Sequence, residues 1–136
     1  MSHDSRRGQS LAEFALVLPI VLLLFMALFD LGRAAYAYNT VSNASRAALR
    51  VAIVDQDLGT VEAKAREQAI ALADSEVSVD VTGVYDPACR KIGCPTSVGV
   101  DYVWTAITPI IGNMIGPISL RAESAMPIER VYDSVP

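Results

Sequence analysis

Few residues of this sequence could do chemistry, and the group with the most distinctive spacing lies near the N-terminus. Arg6 and Arg7 are followed by Gly8 and Gln9, and Glu13 stands five residues after Gly8, at the start of a long apolar run. A carboxylate this close to a hydrocarbon layer is costly alone, and a neighbouring positive charge offsets the cost. Glu13 is therefore either a headgroup-level side chain beside the two arginines or a carboxylate that pairs with another cation.

The two cysteines, Cys89 and Cys94, stand on either side of residues 90–93. Outside the cytoplasm such a pair is expected to be oxidised. Closing so short a loop would contribute about 2 kcal/mol by the loop-entropy model. The alternatives are half of a metal site or a redox pair, although a redox pair usually has two intervening residues at a helix start. We predict a structural Cys89–Cys94 disulfide that holds a surface loop.

Other kinds of site find little support in the composition. His3 is the only histidine, so catalysis by Ser and His and a zinc site with four protein ligands are not expected. The formal net charge is -4, and no stripe of Lys and Arg predicts nucleic-acid binding. No pair of acids falls in a recognisable pocket pattern, and there is no Gly-rich phosphate loop. We expect no enzyme, no cofactor and no metal site.

The apolar run after Glu13 has the length of a membrane crossing. Its uncharged part, residues 14–29, ends at Asp30, and residues 11–31 supply the roughly 20 helical residues that cross a hydrocarbon layer of about 30 Å. A buried core helix would need more surrounding protein than this chain offers, and a removable secretory signal would need a small-residue cleavage site after the run. The preceding arginines predict a cytoplasmic N-terminus and an extracytoplasmic remainder.

Pro19 lies inside the run, where it removes one backbone hydrogen bond and is expected to kink or loosen the helix. Residues 34–53 contain no Pro or Gly and place small or apolar side chains at helical spacing. The helix is therefore expected to continue beyond the membrane as a stem. Its small-residue face could pack on the protein's own domain, which is the preferred interpretation, or on another subunit.

The remaining residues predict a small α+β domain. A break at residues 55–59 precedes a second helix, for which Thr60 could supply the N-cap. Three later segments alternate apolar and polar residues, which predicts an antiparallel sheet of about three strands with one face covered by the helices. These segments are residues 77–82, 98–104 and 118–128.

Residues 108–117 are apolar but interrupted by Pro and Gly, so we interpret them as a loop or a short helical turn. An exposed apolar loop could dock a partner, whereas filling the domain's own core is the preferred interpretation. The predicted organisation is a cytoplasmic leader (1–8), a transmembrane and stem helix (9–54) and an extracytoplasmic α+β domain (55–136).

Taken together, the N-terminal residues resemble the class III signal of type IV pilins. In that signal a prepilin peptidase cuts after Gly on the cytoplasmic side and leaves Glu as the fifth mature residue. Mapped onto this chain, the cut falls between Gly8 and Gln9, and Glu13 becomes the fifth residue. The resemblance implies that Glu13 pairs with the N-terminal amine of a neighbouring chain during assembly.

A longer pattern covers about the first 55 residues and includes 13–15, Leu18 and Pro19, Asp30 with Gly32 and Arg33, and 46–50. In this pattern the chain is similar to the TadE-like family, which are pseudopilins of tight-adherence (Tad, or Flp) pili. This similarity implies a minor pseudopilin of the bacterial inner membrane that supports pilus assembly and surface adhesion. The implied partners are the prepilin peptidase, a TadF-like pseudopilin, the Flp pilin, the inner-membrane pilus platform and the lipid bilayer.

A second hypothesis is a constitutively membrane-anchored, single-pass module whose extracytoplasmic domain binds a ligand or an envelope protein. In that case the apolar helix is only a tether. The two hypotheses differ in one simple respect, because a tether keeps residues 1–8 and a pseudopilin loses them.

Overall fold

One long helix, two short helices and three strands make up the described part of the chain, in a computed structural model that describes residues 4–70, 72–82 and 91–131. The predicted α+β class is confirmed, with a long N-terminal helix, a second helix and a three-stranded antiparallel sheet. The elements are α1 (Asp4–Ala52), α2 (Leu58–Gln68), a single 3-10 turn (Asp74–Glu76), β1 (Val77–Thr82), β2 (Pro95–Trp104), α3 (Pro109–Ile115) and β3 (Ile118–Pro127).

Helix α1 is continuous and has two different halves. Its first half exposes apolar side chains on every side, including Phe14, Leu24 and Phe29. Its most apolar 18-residue window has a mean hydropathy of 2.7 and is only 6% buried, so this half is not the core helix of the domain. Within the described ranges α1 is the one helix with the length and composition to cross a membrane. The helix runs through Pro19, where the expected kink stays a prediction.

The second half of α1 packs on the sheet, which confirms the preferred interpretation that the stem packs on the protein's own domain. Small residues repeat every three or four positions on this face, which lets the helix lie close to the strands. The hydroxyl of Ser45, also buried, donates a hydrogen bond of 2.8 Å to the carbonyl of Val98 on β2. The buried residues of this seam are Ala37, Val41, Ala44, Ala48 and Ala52 on α1, and Val98, Val100, Tyr102 and Trp104 on β2.

Enlarging one of these small residues should loosen the domain. Ala44 is fully buried in the seam, so Ala44→Leu is expected to lower the free energy of unfolding by about 1–3 kcal/mol through overpacking. Chemical denaturation in detergent micelles measures this. Ala35→Leu is the matched control, because Ala35 lies on the exposed side of the same helix. Equal unfolding midpoints for the two variants would contradict this packing.

The sheet has the order β1-β2-β3, and both pairings are antiparallel. Its inner face is the apolar face that α1 covers, and its outer face carries charge. There Arg121 on β3 stands opposite Asp101 on β2 and contacts that carboxylate at 2.9 Å, with Asp80 of β1 at 3.5 Å. Exposed ion pairs of this kind contribute little stability. The outer face is therefore a solvated one.

Helix α2 begins three residues earlier than the predicted cap would place it. Asp57, not Thr60, is the N-cap: one carboxylate oxygen of Asp57 accepts hydrogen bonds from the Thr60 amide at 2.9 Å and the Thr60 hydroxyl at 2.7 Å. The pKa of Asp57 therefore lies below its usual value, mainly because of the hydrogen bond from the Thr60 hydroxyl and next because of the one from the Thr60 amide. Both residue types can cap a helix, and the carboxylate can accept both of these bonds at once.

The connection between β2 and β3 differs more from expectation. Residues 109–115 form the short helix α3, which has no buried residue. The preferred interpretation, that this segment fills the domain's own core, is wrong. The physical reason is that α1 already covers the inner face of the sheet, so the apolar side chains of α3 remain outside.

Candidate functional site

The first candidate site is the N-terminal junction, formed by Gly8, Gln9 and Glu13 on the first turns of α1. All three residues are exposed. The side-chain amide of Gln9 donates a hydrogen bond of 3.2 Å to Oε1 of Glu13. A Cβ atom added at Gly8 would meet nothing within 4 Å. The fold therefore makes no steric demand for glycine at this position.

The spacing within the N-terminal junction determines what its carboxylate can reach. Side chains four residues apart lie on the same face of a helix, and a long side chain points back toward the helix N-terminus. The Gln9–Glu13 contact shows this reach directly. If the chain were cut before Gln9, the new α-amino group would lie one turn from Glu13. An ammonium and a carboxylate in that position could form a charge-assisted hydrogen bond, within one chain or between neighbours.

The second candidate surface is the apolar part of α1, residues 14–29, whose side chains are mostly exposed. It has the composition for contact with lipid or with other apolar helices. Phe25, Phe29 and Tyr36 line a shallow apolar groove over Gly32 on one side of this surface. A glycine there would let another helix approach closely.

The sequence marked Asp30 as the flank of the apolar run and as part of the family resemblance, but it gave no contact for this side chain, which makes a specific polar contact with the β2–α3 connection. Asp30 is buried; its Oδ1 accepts a hydrogen bond from the Ile107 amide at 2.9 Å, and its Oδ2 accepts one from the Thr108 amide at 3.0 Å. Nη1 of Arg33 lies 3.5 Å from Oδ1. This arrangement, which we call the Asp30 clamp, fixes the β2–α3 connection to α1. Hydrogen bonds to a charged acceptor are of the stronger kind.

Removing the carboxylate should open the Asp30 clamp. In Asp30→Ala the amides of Ile107 and Thr108 lose their acceptors, so their hydrogen exchange is expected to speed up by about tenfold or more. Hydrogen–deuterium exchange with mass spectrometry in micelles measures it. Arg33→Ala is the control and should change exchange little, because Arg33 is 45% exposed. Unchanged exchange in Asp30→Ala would show that the clamp does not hold this segment.

Cys94 lies at the far end of the sheet from the Asp30 clamp. The carbonyl of Cys94 accepts a hydrogen bond of 2.8 Å from the Ile128 amide, and the Gly93 amide donates one of 2.8 Å to the Ile128 carbonyl. Gly93 has a φ of 90°, which favours glycine. These bonds fix one end of the predicted loop. Cys89 lies outside the described residues, so the Cys89–Cys94 disulfide stays a prediction.

Within the three described ranges, no three His, Cys, Asp or Glu side chains gather closely enough to hold a metal ion. What the described residues do offer is surface: an exposed apolar helix with a polar junction at its start and a sheet domain fixed to its second half. An arrangement of this kind is suited to association with lipid and with other chains.

Comparison with known proteins relates most of helix α1 to a known family. Residues 8–50 match the family of TadE-like proteins. The matched range begins at Gly8, includes Glu13, Pro19 and Asp30, and ends within the small-residue face of α1. The sheet lies beyond it. No curated protein and no solved structure matches the chain.

Proposed function

We propose that the chain is a minor pseudopilin associated with Tad pili, because residues 8–50 match the family of TadE-like proteins. In this role α1 holds the chain in the bacterial inner membrane until a prepilin peptidase cuts it and it joins the assembling pilus. TadE-like proteins are components of a pilus and generally not enzymes. The function is therefore association with other subunits, in support of pilus assembly and surface adhesion.

The proposed topology has a cytoplasmic leader (1–8), one crossing by α1, and an extracytoplasmic domain (55–136). The exposed apolar side chains of residues 14–29 support the crossing, because a surface of this kind is stable in hydrocarbon and costly in water. Arg6 and Arg7 support the orientation, since basic residues before a span favour the cytoplasmic side.

The proposed mechanism turns on the N-terminal junction. Before the cut, the side-chain amide of Gln9 satisfies one oxygen of Glu13. The cut between Gly8 and Gln9 creates an α-amino group, and Glu13 of one chain then neutralises the amine of its neighbour. This pairing sets the register of two helices as they leave lipid for the pilus. Pro19, which lacks an amide hydrogen, is the point where α1 is expected to bend during that transfer.

The sheet domain supports a minor role. By resemblance, the major Flp pilins consist of little more than the helix, whereas this chain carries a three-stranded sheet on the second half of α1. The small-residue seam and the Asp30 clamp join the two parts, so the position of α1 in a pilus fixes the position of the domain. The proposed partners are the prepilin peptidase, a TadF-like pseudopilin, the Flp pilin and the inner-membrane platform.

One observation carries the proposal: the Gly8–Gln9–Glu13 junction is exposed at the start of an exposed apolar helix, inside the range that matches TadE-like proteins. Deleting the gene for this chain from its bacterium tests the proposal. Electron microscopy should find few or no Tad pili on the cells, and re-expression of the full chain should restore them. Pili unchanged in number and length after deletion would refute the proposed role and favour the tether hypothesis.

A further inference from the structure

The connection between β2 and β3 exposes several long apolar side chains, and two of them, Ile110 and Met114, are neighbours four residues apart on α3. Ile107, Ile110 and Met114 are 64%, 60% and 81% exposed, and Ile115 is 53% exposed. Isolated apolar side chains are normal on a protein surface, but a contiguous group of long ones marks contact with lipid or with another protein. We call this group the α3 surface.

The charge pattern around the α3 surface separates these two kinds of contact. Residues 102–120 contain no Asp, Glu, Lys, Arg or His, although Asp101 and Arg121 stand directly before and after them. A surface that binds protein usually keeps a polar, solvent-accessible rim. A surface that enters hydrocarbon must instead be free of charge. The 19 uncharged residues from 102 to 120 therefore favour lipid as the partner.

The Asp30 clamp places the α3 surface at the right height for such a contact. It holds Ile107 beside the end of the apolar part of α1. Met26, Phe29 and Ile107 line one crevice, which Asp30 and Arg33 close on the side away from the apolar run. Met26 lies one helical turn before Asp30, about 6 Å along the axis. The connection therefore lies alongside the last turn of the proposed crossing and not far above it.

We propose that the α3 surface rests in the outer interface of the bilayer as a second, shallow membrane contact. This inference rests on the proposed membrane anchor. The crossing alone would leave the domain free to rotate and tilt about α1. With Ile110 and Met114 in the lipid interface and the Asp30 clamp joining α3 to the helix, the sheet is held at one fixed inclination to the membrane.

Depth-dependent quenching tests the proposal on the full chain reconstituted in phosphatidylcholine vesicles that contain brominated acyl chains. Ile110→Trp, or Met114→Trp as a second variant, places an indole on the α3 surface. Ile92→Trp is the matched control: Ile92 is also an exposed isoleucine, at 72%, and lies near the opposite end of β2. The native Trp104 is present in every variant, so differences report the added indole.

Brominated lipid is expected to lower the emission of the Ile110→Trp and Met114→Trp indoles to about half, and to leave Ile92→Trp unchanged. Leu24→Trp, in the middle of the proposed crossing, separates the two ways to fail. If Leu24→Trp is quenched and both α3 variants behave like Ile92→Trp, the proposal for the α3 surface is wrong, although α1 still crosses the membrane. The α3 surface would then be expected to bind a protein. If Leu24→Trp is not quenched, α1 is outside the bilayer and both proposals fall.

Discussion

Pili should disappear from cells whose only copy of the chain carries Glu13→Ala, although the protein still enters the membrane and is still cut. In the proposed assembly Glu13 neutralises the α-amino group of a neighbouring chain in apolar surroundings. Removing one member of a buried ion pair costs about 3–5 kcal/mol, because the other charge is left uncompensated. Incorporation into pili should therefore fall by about a hundredfold or more, measured by quantitative immunoblotting of sheared pili against the membrane fraction.

The matched control for this loss is Glu67→Ala. Glu67 is an exposed acid on α2, and Nζ of Lys64 lies 2.8 Å from its carboxylate at the surface, so its removal should leave incorporation near the wild-type level. Glu13→Gln separates charge from hydrogen bonding, because the amide keeps an acceptor for Gln9 and loses the charge. If Glu13→Ala cells carry as many pili as Glu67→Ala cells, Glu13 is only a headgroup-level side chain.

The second large effect is expected from Gly8→Leu, which should keep residues 1–8 attached and also abolish pili. By resemblance, the peptidase recognises a glycine before the bond that it cuts, and a branched side chain there should slow cutting by at least about tenfold. A Cβ atom added at Gly8 meets nothing within 4 Å, and Gly8 is exposed. A loss of cutting would therefore report recognition by the peptidase and not misfolding.

Gly32→Leu controls for the added side chain. Gly32 lies on the same helix, and a Cβ atom there also meets nothing within 4 Å. Its product should be cut at the normal rate. Electrophoretic mobility of the membrane-bound chain after pulse labelling distinguishes cut from uncut protein. Normal cutting of Gly8→Leu would exclude Gly8 as the recognised residue.

Much of the architecture could be predicted because it depends on local periodicity. The alternation of Val98, Val100, Tyr102 and Trp104 predicts a strand with one apolar face, and these four side chains are buried. The helical spacing of small residues after Asp30 predicts a packing face, although not all of its expected members lie on it. Tyr38, an aromatic residue of the same segment and at the same helical spacing, is 52% exposed.

Two features could not be predicted, for different physical reasons. The Asp30 clamp joins residues 77 and 78 positions apart, and its acceptor bonds to backbone amides, which every non-proline residue offers, so no side-chain pattern marks the partners. The sequence does not predict that α3 is exposed, because isoleucine and methionine occur both in protein cores and on surfaces that contact lipid or another protein. Only the packing of α1 on the sheet shows that the core has no room for them.

The most direct test of the account is the N-terminus of the protein purified from the membranes of the cells that naturally produce it, determined by intact mass and N-terminal sequencing. The central claim is that α1 is an assembly element released by a cut between Gly8 and Gln9. The expected mature chain lacks residues 1–8 and begins at Gln9. A chain that still begins at Met1, in cells with an active prepilin peptidase, would contradict the claim and leave α1 as a permanent tether.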